Sequence, residues 1–422
     1  MTIAILELND QALLIQTEEG RSHIEPGFAR VTPSGIESGD KAWAMAWQNP
    51  QDCFNQYWRQ LNQLPLPRKQ NWARHHGDIA YAQIKHMLES VGSPSNIILA
   101  VPGCFNEEQL ALLLGLAQAI PVQVDAVIDS ALAMSLYAQK ETLLLDIQLQ
   151  QSVVSLISEI NGNLVVSEQS IIPDLGILYL YNGVARHISD RLIDDYRYDP
   201  LHTSEGEQTI YDQLPAWLKQ LGWQNELSIN LPSPRGDLPM ILHRKQVAII
   251  IEQRLESLND IIEKHPKAQI TLAHSASLLQ AILPRFAGAL VMSQTSGVDN
   301  CLTARREIIA SSETLHKIIS LEKAGGKSNN LKPKPRCANH LLYQNQAWPL
   351  DKPLSINLQD GELILTNSID KNAALVVVIK DQSLQIIHQS ATIDTQLPRT
   401  CEPGQRLVLA GHKLSFIEVS NA

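Results

Sequence analysis

The sequence predicts an α/β protein followed by a small all-β module. Over residues 1–320, β-rich apolar runs alternate with segments whose apolar residues recur every three to four positions. The stretch EKAGGKSNNLKPKPRCANH then collects Gly, Asn, Lys and Pro without any period, as a linker does. Beyond it come only short alternating runs separated by turn residues. At 422 residues the chain exceeds one ordinary core. The expected organisation is therefore 1–320, a linker over 321–337, and a β module over 338–422.

TIAILEL reads as a strand, NDQ as a turn and ALLIQ as the returning strand, before Glu18, Glu19 and Gly20 turn again. A less regular region extends to about Arg74. GDIAYAQIKHMLESVG places Tyr81, Ile84, Leu88 and Val91 on one helical face, and Gly92 with Pro94 stops the helix. NIILAVP follows as a buried strand. In FNEEQLALLLGLAQ, Asn106 and Gln109 form a capping box, each side chain satisfying a backbone donor of the helix start. Further strands are expected at 122–126, 142–147 and 152–158, helices at 186–198 and 244–264, a strand at AQITLA and a helix at 277–286. Strands interleaved with helices in this order imply partly parallel sheets. In the last region HLLYQN, GELILTN, AALVVVI, LQIIHQ, RLVLAG and LSFIEV read as strands.

The charge balance, 34 basic against 44 acidic residues for a net charge of −10, argues against a nucleic-acid partner, which needs clustered Lys and Arg. The basic residues are scattered apart from one cluster at 323–336. The five cysteines (53, 104, 301, 337 and 401) lie far apart and form no C-x-x-C pair, which fits a reducing compartment. MTIAILELND carries no basic leader, and no apolar run approaches the roughly 20 residues of a membrane span. The expectation is a cytoplasmic protein.

Residues 96–137 hold a strand ending in Val101 and Pro102, then Phe105 and Asn106 opening a helix, then Asp129 with Ser130 leading to Tyr137. In order and spacing this resembles the nucleotide-binding domain of DnaK-type heat-shock chaperones, members of the actin-like ATPase superfamily. The opening hairpin is similar to the family's first phosphate loop, and TPSG with GDKAW to the stretch after it. LHRKQVAIIIEQRLESLNDII is similar to a helix of the second lobe, and ITLAHSASLL to the adenosine loop. The resemblance implies a two-lobed actin/DnaK-like ATPase fold over 1–320, with a cleft for ATP and Mg²⁺ between the lobes.

The nucleotide loops of that family are altered here. Where the resemblance implies an Asp followed by x-Gly-Gly-Gly-Thr, whose glycines bare backbone donors to phosphate, this chain has Asp146 and then Gln148, Leu149, Gln150 and Gln151. Side chains there are expected to fill the space glycine leaves, and positive φ at a non-glycine residue costs about 1–2 kcal/mol. In the first loop Glu7 stands for the Asp and Asn9 for the Gly; Asn tolerates left-handed backbone, so that exchange is milder. His274 and Ser275 replace two glycines of the adenosine loop. The family's phosphate-binding lysine has no counterpart near Trp58 and Arg59. Glu7, Asp129 and Asp146 align with the family's metal- and water-positioning acids. The competing and favoured reading is that strand ends and helix starts select acids anyway, which would leave Asp129 and Asp146 as vestiges of a catalytic pair.

Other motifs are weak. AGGKS lacks the first glycine and the preceding strand of a P-loop. His75 and His76 are adjacent, so they cannot share a metal, and no Cys/His/acid cluster has metal spacing. GIESG reads as a loop, and Cys104 as an inert packed thiol. The β module weakly resembles a forkhead-associated domain through GQRLVLAGHKLSFIEV, but SINLQDG lacks the family's arginine and NSIDKNAAL its histidine. Together these imply a catalytically degenerate actin/chaperone-like protein that serves as an interaction scaffold or assembly factor for protein partners, self-association included, with no cofactor. The alternative is a diverged ATP-binding chaperone or ATPase that uses ATP and Mg²⁺.

Overall fold

The computed structural model describes residues 2–312, 316–323, 338–344, 346–359, 362–370, 373–380, 383–389, 406–410 and 412–417. The chain divides into two compact units, Met1–Gly325 and Gly326–Ala422. It is α/β, built from several sheets. No helix among the described residues is long and apolar enough to cross a membrane.

The first unit runs in order β1 (Ile3–Glu7), β2 (Leu13–Thr17), β3 (Ser22–Glu25), α1 (His76–Ser90), β4 (Asn96–Val101), α2 (Glu107–Gln118), β5 (Gln123–Asp129) and α3 (Ser130–Ser135). It continues with β6 (Thr142–Ile147), β7 (Gln151–Ile160), β8 (Asn163–Pro173), α4 (Ile177–Tyr196), α5 (Ser204–Leu221) and α6 (Arg244–Glu252). It ends with β9 (Gln269–Leu272), α7 (Ser277–Ile282), β10 (Leu290–Val291), α8 (Ser296–Thr303), β11 (Lys317–Ile318) and β12 (Ser320–Glu322). One sheet has the order β11-β5-β4-β1-β2-β3, the other β10-β9-β6-β7-β8-β12. Each contains an antiparallel meander, β1–β3 or β6–β8, whose first strand then pairs in parallel with later strands. The same topology thus occurs twice. In both sheets the first meander strand is central and buried, which explains the apolar runs IAIL and LLL within TLLLDI.

Local signals account for much of this. The capping box at Asn106 forms: its side chain accepts from the Gln109 amide at 2.8 Å while Gln109 accepts from the Asn106 amide at 3.1 Å. Helix α1 buries Ile79, Ala80, Ile84, Met87 and Leu88, so its apolar face is rotated from the expected one and Tyr81 sits at its margin. His75 caps α1, accepting from the Asp78 amide.

Several elements depart from expectation. Helix α4 starts nine residues before the expected 186. The helix expected over 244–264 is broken at residues 253–255, where Leu255 turns into the core. Helix α7 stops at Ile282 because Pro284 holds the preceding Leu283 in an extended conformation. Helix α5, over a stretch with no expected element, forms with Pro215 inside it, a residue that works against helix locally. GIESG is an edge strand, Gly35–Ser38, rather than a loop. The first unit also passes the boundary expected at Ser320. Strand β12 pairs with β8, Leu321 is buried, and Lys323 Nζ lies 2.6 Å from Glu159. The remainder of the expected linker, 324–337, with its AGGKS motif, lies outside the described residues.

The two sheets share an aromatic junction. Phe28 packs edge-on against Trp43, and Trp47 stacks on Tyr211 of α5 with ring centroids 4.1 Å apart. The Trp43 indole donates to Asp212 at 3.0 Å, and the Gln208 amide donates to Trp43 O at 2.9 Å. A segment that follows the first meander is thereby built into the core of the second sheet.

In the second unit the described strands form two antiparallel four-stranded sheets. One has the order Gln346–Pro349, His340–Tyr343, His412–Ile417, Arg406–Leu409; the other Glu362–Thr366, Leu354–Gln359, Leu375–Lys380, Ser383–Gln389. Leu341, Tyr343, Leu354, Leu375, Leu409 and Phe416 from both share one apolar cluster.

The aromatic junction yields a stability prediction. Tyr211→Ala removes a buried ring and its stacking partner's contact, and should lower unfolding free energy by about 3 kcal/mol in urea titration. Tyr211→Phe, which loses only the hydroxyl bonded to Asn182, should cost about 1 kcal/mol.

Candidate functional site

The candidate site is a cleft of about 750 Å³ in the first unit. Glu7 at the end of β1, Asn9 in the following turn, Asp146 on β6, and His274 and Ser275 after β9 line it together. Five of the residues singled out in the sequence therefore converge, because parallel pairing of β9 on β6 and the β1–β2 turn bring three distant segments to one floor. Lys219, Trp223 and Arg244 form part of another wall. Asp129, Gln148, Leu149, Gln150 and Gln151 are not among the lining residues.

Asp146 organises the floor. Its Oδ1 accepts from Asn9 Nδ2 at 2.6 Å and from Ser275 Oγ at 2.7 Å. The Ile147 amide also donates to Ser275 Oγ, at 3.1 Å. Asn9 Oδ1 accepts from the Gln11 amide at 2.9 Å, an Asx turn that fixes the β1–β2 connection. Asn9 does this without positive φ, so left-handed backbone is not the reason asparagine serves here.

The Gln148–Gln151 turn behaves differently from expectation. None of its residues takes positive φ. The Leu149 side chain does not project into the cleft; it is buried with the core of the second sheet. The Gln148 amide donates to Gln151 O at 2.8 Å, and the Leu149 amide donates to the Asp10 carboxylate at 2.7 Å. On the other side Gln148 O and Leu149 O accept from the Ile177 and Leu178 amides, the first two donors of α4. Gly176 permits this approach, since a Cβ there would stand 2.2 Å from Leu149 O and 2.4 Å from Gln150 Cα. The Gln148 side chain accepts from Cys104 Sγ at 3.5 Å and Gln151 Nε2 at 3.2 Å, and Gln150 reaches Asn55 at 3.3 Å. Gln148 Nε2 has no partner of hydrogen-bond length, although it stands near enough to Asp146 to favour that group's charged form. The turn thus needs no glycine because outside partners hold it.

Asp10 was not singled out by the sequence; within NDQ it reads as an ordinary turn residue. It is 4% exposed, and its carboxylate accepts from the Leu149 amide. Burial raises its pKa to about 7, the Leu149 bond lowering it and the Asp146 charge raising it. Burial also raises Asp146 to about 6, against the bonds from Ser275 and Asn9. Glu7 reaches about 8, through burial and then the Asp146 charge, and its Oε2 is buried without a hydrogen-bond partner. Asp129 caps α3 through the Ala131 amide at 2.9 Å and accepts from Gln169 at 2.9 Å. Burial raises its pKa too, while Lys317 at 3.6 Å opposes the shift. Among the described residues Glu7, Asp10 and Asp146 form no ion pair. His274 is pushed below the ordinary imidazole range by burial and then by Lys219, and burial pushes the Cys104 thiol up to about 12.

A phosphate cradle needs bare backbone donors, and the turn's amides at Gln148 and Leu149 are bonded to the chain itself. Comparison with protein-family models finds none that matches the chain, and comparison with curated proteins finds no similar sequence.

The carboxyls with raised pKa values bind protons more tightly folded than unfolded. Their stabilisation is complete below the ordinary carboxylate range and is lost as pH rises through about 6 to 8. Glu7→Gln should therefore leave the melting temperature unchanged near pH 4.5 and raise stability by about 1–3 kcal/mol at pH 8.5. Equal pH dependence in both proteins would contradict the assignment. Gly176→Ala should destabilise by about 1–3 kcal/mol in denaturant titration, because its methyl meets backbone rather than a movable side chain.

Proposed function

We propose that this protein is a catalytically degenerate member of the actin/chaperone-like ATPases, working as a protein-interaction scaffold or assembly factor. The twofold recurrence of one sheet topology supports a two-lobed architecture of that kind. The convergence of Glu7, Asn9, Asp146, His274 and Ser275 on one cleft supports the sequence register behind it. The observation that carries the loss of catalysis is the Leu149 amide bonded to the Asp10 carboxylate. The Asp10 carboxyl already occupies that donor, which leaves it unavailable to a phosphate oxygen. The aromatic junction at Trp47 and Tyr211 ties the two sheets together, where an ATP-driven cycle would need them to move.

The cleft's volume and its Lys219 and Arg244 wall favour one second reading, residual binding of ATP with Mg²⁺. Calorimetric titration of the full chain with ATP and MgCl₂ separates the two. The scaffold reading predicts no heat of binding and no phosphate release. ATPase activity in pure protein, abolished by Asp146→Asn, would establish the second reading instead.

The second unit is proposed as a docking module of the forkhead-associated kind that does not depend on phosphate. Among the described residues its strand Ser383–Gln389 lies at a sheet edge, with Ile386 and Ile387 exposed, and edges of this kind pair with extended chains. Phosphorylated and unphosphorylated forms of a captured peptide should bind within about twofold of each other. A preference of tenfold or more for the phosphopeptide would refute this.

A further inference from the structure

We propose that His23, Glu25 and His86 form a binding site for one divalent transition-metal ion of the zinc class, none of the three being among the residues that line the acidic cleft. His23 and Glu25 are two residues apart on β3, so their side chains leave the same face of the strand. His86 comes from α1, which packs over that face, with Gln83 and His86 both reaching Glu25. His23 Nε2 and His86 Nδ1 each lie 3.1 Å from Glu25 Oε2, and the three ligand atoms lie within 4.8 Å of one another. The imidazoles meet edge to face at a centroid distance of 5.4 Å. Ligands 2.0–2.1 Å from a tetrahedral ion stand roughly 3.3 Å apart. Two edges of the required figure are therefore already present, and the third needs only a rotation of His86, whose side chain is 52% exposed.

The surroundings hold Glu25 as a ligand carboxylate is held. Glu25 is 3% exposed. Its Oε1 accepts from Ser38 Oγ at 2.9 Å and Gln83 Nε2 at 2.8 Å, which turns Oε2 toward the imidazoles. Gln83 is fixed in turn by the Trp58 indole at 2.8 Å and by the Tyr57 hydroxyl. The Gly39 backbone closes one side of Oε2, since a Cβ there would come within 2.7 Å of it. The remaining approach passes the partly exposed imidazoles, which leaves a coordination position for water or for a partner's side chain. Two nitrogens and one oxygen suit zinc, cobalt or nickel, whereas magnesium and calcium require oxygen ligands. Sequence spacing alone conceals the set, because His86 lies 61 residues from Glu25.

The competing role is structural, with both imidazoles simply hydrogen-bonding the buried carboxylate. Titration of the metal-stripped full chain with CoCl₂, read by visible absorption and then by displacement with ZnCl₂, distinguishes the roles. The proposal expects one equivalent of cobalt with the intense bands of a low-coordinate site, displaced by one equivalent of zinc. Affinity should fall at least tenfold in His86→Ala and in His23→Ala, and should be unchanged in a His75→Ala/His76→Ala control. Should His86→Ala fail to fold, His86→Gln serves in its place. Absence of a site in the wild-type protein, or binding that persists in both single variants, overturns the proposal.

Discussion

The bond from the Leu149 amide to the Asp10 carboxylate is the contact on which the first unit's centre depends. It joins the β1–β2 turn to the β6–β7 turn, the corresponding first hairpins of the two sheets. The same β6–β7 turn receives the first two amides of α4, so one small loop positions two hairpins and a helix. Cooperation of this kind explains how four consecutive residues without glycine make a hairpin turn. Hairpin turns ordinarily rely on positive φ to match strand twist; here the shape is imposed by bonds to neighbours, and Leu149 is drawn into the core.

A consequence is an acidic floor with little compensation. Glu7 and Asp10 each feel the Asp146 charge, and Asp146 feels Asp129. Burial disfavours ionisation of all four, and the hydrogen bonds from Asn9, Ser275 and Leu149 oppose it only in part. Such an arrangement costs stability at neutral and higher pH, and it persists because the bonds that Asp146 and Asp10 accept tie separate segments together.

The junction of Phe28, Trp43, Trp47 and Tyr211 has a parallel effect at another contact between the sheets. Its rings belong to the apolar core of the second sheet although most of them come from the segment after β3. Aromatic stacking combined with the Gln208 and Asp212 hydrogen bonds resists separation of the two halves. In the proposed scaffold role a fixed shape of this kind is an advantage, because a preorganised surface loses less entropy on binding a partner.

The sequence by itself determined the elements whose signals are local. The IAIL and TLLLDI strands and the Asn106 capping box were legible because propensity, period and capping act within a few residues. The acids Glu7 and Asp146 and the loop residues His274 and Ser275 were legible through the spacing of a resemblance, and they do meet at one cleft. Only the tertiary structure decided what those residues do. Asp10 acts through an amide 139 residues away, Leu149 points into the core rather than the cleft, and His86 reaches a carboxylate on a different element. Helix α5 with its internal Pro215, and strand β12 beyond the expected boundary, form because buried neighbours outweigh weak local preference. Hydrogen-bond partners, the burial of charge and the direction of a side chain are properties of the neighbourhood that folding assembles, and no window of consecutive residues contains them.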